Sequence, residues 1–356
     1  MKQVAILEPY KIGIVDVPEP ELNPRQIKAK TKVTGISIGT ELHDYRGSMT
    51  KIPEKWKKLH PYTFPVFPGY LNVGEVIEAG SEIKDVKPSD RVVHEGPHAQ
   101  YCCIPREEAL PVYVKVPDSI SDEDATLTSM AVTSLWGCLQ GNIGFGKKVV
   151  VTGDGTIGIL AALLTALFGV DKSILVGTHG GKMERARQAG VQTTINHNDA
   201  DWKEQVMSAT DGQGADVVLE CVGSMDKSTN SIAEACELAR ERGRVVVVGY
   251  HLAPQTDWIL GGDFYFKELT MYNCRAGGPG SHHTFLLDAL NRIQQYNFID
   301  WTTTGLFKYI LKLMDERKLN VHPLITHRFR YTDIADIFRR LDEQKEDFIH
   351  VLLTDW

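Results

Sequence analysis

The first third of the chain is patterned in period two. Apolar and polar positions alternate in short stretches such as Val4 to Leu7 and Lys28 to Val33, set apart by Pro18, Pro20 and Pro24. Runs of that kind bounded by turn residues predict strands. Gly74 to Gly80 and Asp90 to His94 continue the pattern, and up to about residue 117 no amphipathic helix longer than about three turns shows. This part predicts a β-rich barrel or sandwich.

Near Ser121 the period changes. Ser121 is a suitable helix N-cap, and Asp122, Glu123 and Asp124 behind it suit the positive end of a helix dipole. Strands are then predicted at 148–152, 173–176, 215–221 and 244–248, with helices over 158–168, 182–189 and 227–242 between them. Such alternation predicts βαβ units and a parallel sheet covered on both faces. Beyond Lys267 come a strand at 268–273, helices over 285–296 and 305–318, and a strand, helix and strand within 325–356. An α/β body between β-rich flanks predicts one domain inserted in another, with 125–299 as the insert and 1–124 plus 300–356 as the host.

Composition narrows the class without naming a function. A chain of 356 residues with 42% hydrophobic and 24% charged residues is neither disordered nor a disulfide-stapled miniprotein. With 39 Lys+Arg against 46 Asp+Glu, the net charge of −7 gives no reason to expect a nucleic-acid partner. The longest nearly apolar run, Ile157 to Val170, falls short of the roughly 20 residues that span a bilayer, so a buried helix and no membrane partner are expected. No secretory leader pattern opens the chain, and a cytoplasmic protein is expected. Cys102, Cys103, Cys138, Cys221, Cys236 and Cys274 lack metal-site spacing and read as reduced thiols.

The predicted strand ending at Thr152 runs into Gly153-Asp154-Gly155-Thr156-Ile157-Gly158 and then a helix. This is G-x-G-x-x-G in the strand, turn, helix setting that gives the pattern meaning: glycines for the tight turn, for close approach of a pyrophosphate and for helix packing. The second strand ends Gly177-Thr178-His179 with no carboxylate, where an NAD site usually carries an acid for the ribose 2′-hydroxyl. Thr178, His179, Lys182 and Arg185 suit a 2′-phosphate, which favours NADP over NAD. The plain alternative is that Lys182 and Arg185 solvate an exposed helix face.

At this point the chain resembles the medium-chain dehydrogenase and reductase superfamily, the zinc alcohol and polyol dehydrogenases and their zinc-free cousins. The likeness runs through Gly35-Ile-Ser-Ile-Gly-Thr-Glu-Leu-His43, Phe67-Pro-Gly-Tyr-Leu-Asn-Val-Gly-Glu-Val, the glycine motif, Gly214 to Gly223, Gly243 to Gly249 and Leu324-Ile-Thr-His-Arg-Phe. It implies a GroES-like catalytic domain, a Rossmann domain and a cleft between them that holds the active site. It also implies cofactor contacts at Val222, Gly223, Gly249 and Arg275, and a homodimer or homotetramer.

The metal positions break the pattern. Relatives use Cys-x-Thr-Asp-x-His, but Ile38 stands at the Cys position, followed by Gly39-Thr40-Glu41-Leu42-His43. The Gly-His-Glu segment is Gly69-Tyr70-Leu71, and the later ligand falls near Thr128. Ile, Tyr, Leu and Thr cannot assemble the nitrogen, sulfur and carboxylate set that zinc requires. The four-cysteine structural lobe is missing too, so no zinc of either kind is expected.

What remains is a hydroxyl and imidazole relay. Thr40 and Tyr70 would donate to a carbonyl oxygen, with His43 passing the proton onward. Tyr70 has a blander reading, an aromatic plug in the vacated metal cavity. His94 and His98 read as loop histidines because Gly96-Pro97 forbids a helical pair. His282 and His283 read as surface residues. Glu220 is either a base or the acid of a structural acid-x-x-Gly turn, with the turn favoured. An insertion between His43 and Tyr70 carries Arg46, Lys51, Lys55, Lys57 and Lys58 with Trp56, either a solvated loop or an attractor for an anionic small-molecule substrate. The leading expectation is a zinc-independent NADP(H) oxidoreductase acting on an alcohol or carbonyl. Reduction of an activated C=C bond or a quinone stands behind it, then a non-catalytic nucleotide-binding redox sensor.

Overall fold

The computed structural model describes residues 1–51, 62–105, 113–224, 229–251, 261–278 and 301–356. Two units separate: the described residues of Met1–Ser129, Pro279–Arg317 and Ile325–Trp356 in one, those of Met130–Gly278 and Lys318–Leu324 in the other. Residues 318–324 therefore join the second unit, although the sequence pattern assigns them to the host domain.

In the first unit β1 (Lys2–Glu8) and β2 (Lys11–Asp16) pair antiparallel. Strand β3 (Gln26–Ile36) crosses the middle of a second sheet with β4 (Leu71–Ala79), β5 (Arg91–His94), β6 (Tyr101–Pro105), β7 (Tyr113–Lys115), β14 (Ile325–Arg330) and β15 (His350–Thr354). The spatial order is β14-β15-β3-β4-β5-β7, with β6 also on β3. Ile27, Ala29, Thr31 and Val33 of β3 are buried while Lys30 and Lys32 between them are exposed. That alternation then gives way to a wholly buried run, Val33 to Ile36, which carries the chain into helix α1 (Ile38–Tyr45). At Gly35 only glycine fits, since a Cβ would stand 2.4 Å from the His350 ring.

Leu42 and Tyr45 of α1 pack on Ile334, Ile337, Phe338 and Leu341 of the C-terminal helix, α10 (Ile334–Glu343). Those four apolar residues follow the i, i+3, i+4, i+7 stripe of an amphipathic helix, and each buried side chain contributes roughly 1.5–3 kcal/mol. Short α2 (Asp122–Ala125) is capped by Ser121, whose side chain accepts from the Asp124 amide as its sequence predicts. Helix α3 (Thr128–Gln140) follows it.

The second unit holds a six-stranded sheet of β8 (Lys148–Thr152), β9 (Lys172–Gly177), β10 (Thr193–Asn196), β11 (Ala215–Glu220), β12 (Ala239–Val247) and β13 (Thr270–Asn273). All pairs are parallel in the order β10-β9-β8-β11-β12-β13, the doubly wound order of the Rossmann fold. Helices α4 (Thr156–Ala166), α5 (Gly180–Ala189), α6 (Trp202–Ala209), α7 (Ser231–Leu238) and α8 (Asp263–Phe266) connect the strands. Helix α9 (Thr303–Asp315) belongs to the first unit. α4 is buried from Gly158 through Thr165, and no helix among the described residues is long and apolar enough to cross a membrane.

Two sequence expectations change. β10 and α6 appear where no element is expected, and the helix expected over 227–242 ends at Leu238. Ala239 is already extended and pairs with Ala215. The Lys267 ammonium closes the helix end by donating to the carbonyls of Cys236, Glu237 and Ala239 at 3.1, 2.7 and 3.1 Å, so the last turn needs no continuation. The helix expected over 285–296, together with His282 and His283, lies outside the described residues.

Candidate functional site

The glycine turn in the second unit is built by close approach. Gly153 has φ +103°, and a Cβ at Gly158 would stand 1.8 Å from the Gly153 carbonyl oxygen. Around Gly155, by contrast, a Cβ would meet nothing within 4 Å. Gly155 is the N-cap of α4 and supplies no side-chain cap, so the first-turn residues Thr156, Ile157 and Gly158 open onto the positive end of the helix. Such a cradle fits a pyrophosphate.

A carboxylate does reach the end of β9, and it comes from inside the glycine motif. Asp154 Oδ2 accepts from the amides of Thr178 and His179 at 2.8 and 2.6 Å, and His179 Nδ1 lies 3.1 Å from the same oxygen. Asp154 is nearly buried, and a side chain at Gly177 would strike its Cβ at 2.5 Å. The sequence reading finds no acid here because it looks along β9 alone. The available signal was an Asp between the first two glycines facing a strand that ends in Gly. Thr178 and His179 are exposed, and Lys182 and Arg185 of α5 enter no ion pair among the described residues.

On the far side of the turn, Glu220 is fully buried and structural. Its Oε1 accepts from the amides of Val222 and Gly223 at 3.0 and 3.3 Å, and its Oε2 lies 2.9 Å from His251 Nε2. Gly249 approaches Gly223 so closely that a Cβ would stand 2.3 Å from its amide nitrogen. Val222 is half exposed, and Arg275 lies two residues beyond β13.

In the first unit, hydroxyls gather at the start of α1. Tyr70 and Ser37 are hydrogen-bonded through their hydroxyls, and the Thr40 hydroxyl lies 3.5 Å from that of Tyr70. Tyr70 is aimed there by Gly69, whose φ of +111° and 2.5 Å Cβ distance to the His98 amide nitrogen exclude a side chain. The Pro68 carbonyl accepts from that same His98 amide at 2.8 Å. His43, one helical turn beyond Thr40, is half-buried.

Beneath the hydroxyls runs a chain of buried polar groups that sequence reasoning missed. Glu41 Oε1 accepts from the Ser37 amide at 2.8 Å, and its Oε2 lies 2.9 Å from His98 Nε2. His98 Nδ1 in turn lies 2.8 Å from the Thr34 hydroxyl, and the Trp356 ring stacks 6.3 Å from the imidazole. His98 is thus a loop histidine with no surface at all. A second missed carboxylate, Glu95, accepts from the Ser129 hydroxyl at 3.3 Å, and burial raises its pKa to about 7. Burial also holds the Tyr70 phenol up, to about 12, against the pull of hydrogen bonds from Ser37 and Thr40.

The residues at the expected metal positions do not fit zinc. Leu71 is a core residue of β4, the Thr128 hydroxyl is spent on the Ala125 carbonyl at 2.7 Å, and Tyr70 is spent on Ser37. Among the described residues no three His, Cys, Asp or Glu side chains converge on a metal position. Arg46 of the expected cation cluster forms an ion pair with Asp342 at 2.6 Å. The side chains of Lys51, Lys55, Trp56, Lys57 and Lys58 lie outside the described residues.

A family model described as zinc-binding dehydrogenase matches residues 156–292. The chain is 26% identical over 374 residues to a sorbitol dehydrogenase of Halalkalibacterium halodurans, covering 96% of this chain and 95% of that one. These similarities indicate the medium-chain dehydrogenase and reductase superfamily. Members solved as structures share the fold: 2R,3R-butanediol dehydrogenase from Bacillus subtilis superposes with a TM-score of 0.78 at 22% identity, covering 100% and 99% of the two chains. A provisionally assigned zinc-binding dehydrogenase from Sinorhizobium meliloti, bound to NADP, gives 0.78 at 20% identity over 99% of each. The matched residues 156–292 exclude Ile38, Tyr70, Leu71 and Thr128, so within this superfamily the family model is silent on the metal.

Proposed function

We propose that this medium-chain dehydrogenase is a zinc-independent oxidoreductase that moves hydride between NADP(H) and an alcohol or carbonyl substrate. The observation that carries the reading is the Tyr70 hydroxyl, at a position where relatives are expected to place a metal ligand, lying 3.5 Å from the hydroxyl of the relay residue Thr40. A nicotinamide cofactor held by its pyrophosphate at the glycine turn would supply or accept the hydride. The chain's own task is then to hold the substrate oxygen and exchange its proton. Tyr70 and Thr40 offer hydrogen bonds where charge develops, and His43 passes the proton to solvent. At the adenosine end, His179, Lys182 and Arg185 favour a 2′-phosphate; the Asp154 carboxylate, engaged by three donors, is compensated rather than left to repel it.

The test has two arms. Elemental analysis of purified protein should find no stoichiometric zinc, and activity should survive a chelator; one tightly held zinc per chain, lost together with activity, would overturn the metal assignment. NADPH oxidation on a carbonyl panel should exceed that on enones and quinones. The reverse order would move the protein to reduction of activated C=C bonds, and turnover of neither would leave a nucleotide-binding sensor.

A further inference from the structure

A serine at a helix N-cap ordinarily turns its oxygen onto an amide of the first turn. Ser37 is the N-cap of α1, yet it makes no such contact, and its hydroxyl meets that of Tyr70 instead. Its backbone amide is meanwhile clamped by Glu41, which is clamped by His98, which is clamped by Thr34. Thr34, Ser37, Glu41 and His98 are all at most 3% exposed. A local helix signal has thus been diverted to the phenol, and the diversion is braced from below. Departures of that kind from local preference mark functional positions.

We infer that Ser37 is a positioning residue for Tyr70, its hydroxyl turning onto the phenol oxygen as the phenol proton leaves for the substrate. This deepens the proposed function and rests on it. Once hydride has reached the carbonyl carbon, the C=O π pair becomes a lone pair on oxygen. That oxygen takes the Tyr70 proton as the phenolic O–H bond breaks. The phenolate is held by O–H donors from Ser37 and Thr40 until solvent returns a proton, and none is lost from Ser37. A phenol buried beside the Glu41 and Glu95 charges is a reluctant acid, and donors that strengthen only as its charge develops compensate without tightening substrate binding.

Ser37→Ala, Tyr70→Phe and the double variant test this against wild type on the best carbonyl substrate. Ser37→Ala should lower kcat about 10- to 100-fold with KM for carbonyl and NADPH held within about twofold. In the Tyr70→Phe background the same change should cost nothing more, because the group it supports is gone. A loss of equal size in both backgrounds, or no loss at all in an active enzyme, overturns the inference. Since the hydroxyl caps no helix amide, Ser37→Ala should stay folded and lose no more melting temperature than Tyr70→Phe, which removes the same hydrogen bond. The activity-free check is the 13Cζ resonance of labelled Tyr70, assigned by its absence in Tyr70→Phe: it should move in Ser37→Ala, and a fixed resonance overturns the pair. Wild-type protein that reduces no carbonyl while that resonance still moves instead overturns the proposed function, so the two failures are distinguishable.

Discussion

At the scale of single residues, Tyr70 decides between chemistry and packing. Its ring would plug a cavity equally well without the hydroxyl. If the phenol gives up a proton, Tyr70→Phe lowers kcat by about 10²–10⁴-fold with NADPH affinity nearly unchanged; an active Phe variant makes the residue a plug. Lys182→Ala tests the cofactor preference of the second unit. A charge-assisted hydrogen bond contributes roughly 1.5–3 kcal/mol, so the variant should lose tenfold or more in NADPH affinity while its NADH affinity stays put. Equilibrium titration of both cofactors reads the difference. Thr40 stood out in the sequence because its type and spacing follow the family pattern, and Tyr70 because it breaks that pattern at an expected ligand position. Glu41–His98 and Asp154–Thr178 were not, because partners 57 and 24 positions apart leave no local mark.

At the scale of elements, periodicity carried the strands and the glycine-turn helix, and failed where a distant side chain ends an element. Nothing within 227–242 announces that Lys267 will satisfy the last carbonyls of α7. The turn before α4 shows the opposite case, local sequence with local consequence. Gly158→Ala puts a methyl 1.8 Å from the Gly153 oxygen, with backbone on the other side, so the turn must open. Nucleotide binding should be lost together with several degrees of melting temperature; Gly155→Ala, set in open space, should lose binding alone. Calorimetry of both variants with and without NADPH separates the effects.

For the molecule as a whole, buried titratable groups of opposite sense set the pH response. His94 and His350 are fully buried, and desolvation depresses them to about 4 and about 3 from 6.5. Gly96 donates to His94 Nδ1, leaving its Nε2 proton with no acceptor among the described residues. Their stabilisation is present above pH 6.5 and is lost as pH falls, because the unfolded chain takes up protons that the fold refuses. Asp44 and Glu95 run the other way, raised by burial to about 6 and about 7 from 3.8 and 4.5. Their stabilisation is present in acid and fades as pH rises through those values. Two against two, the slopes nearly cancel between about pH 4.5 and 6, and stability there should be almost flat. Glu95→Gln removes one opposing group and should give a stability that rises by on the order of 1 kcal/mol per pH unit across that window, as urea titrations at pH 5.0, 5.5 and 6.0 would read. A variant as flat as wild type would mean that Glu95 titrates as an ordinary surface acid.

The middle of the first unit's sheet also imposes an order on biosynthesis. β15 lies between β14 and β3, and Val351, Leu352 and Leu353 pair with Ile36, Gly35 and Thr34. These are the residues that lead into Ser37. On the ribosome, every strand of the nucleotide-binding sheet has been made by Asn273, more than seventy residues before β15. The stretch of β3 that delivers the hydroxyl cluster must therefore wait, one edge unpaired, until Val351, Leu352 and Leu353 have been made, so the Tyr70 surroundings are completed only after the strands of the nucleotide-binding sheet.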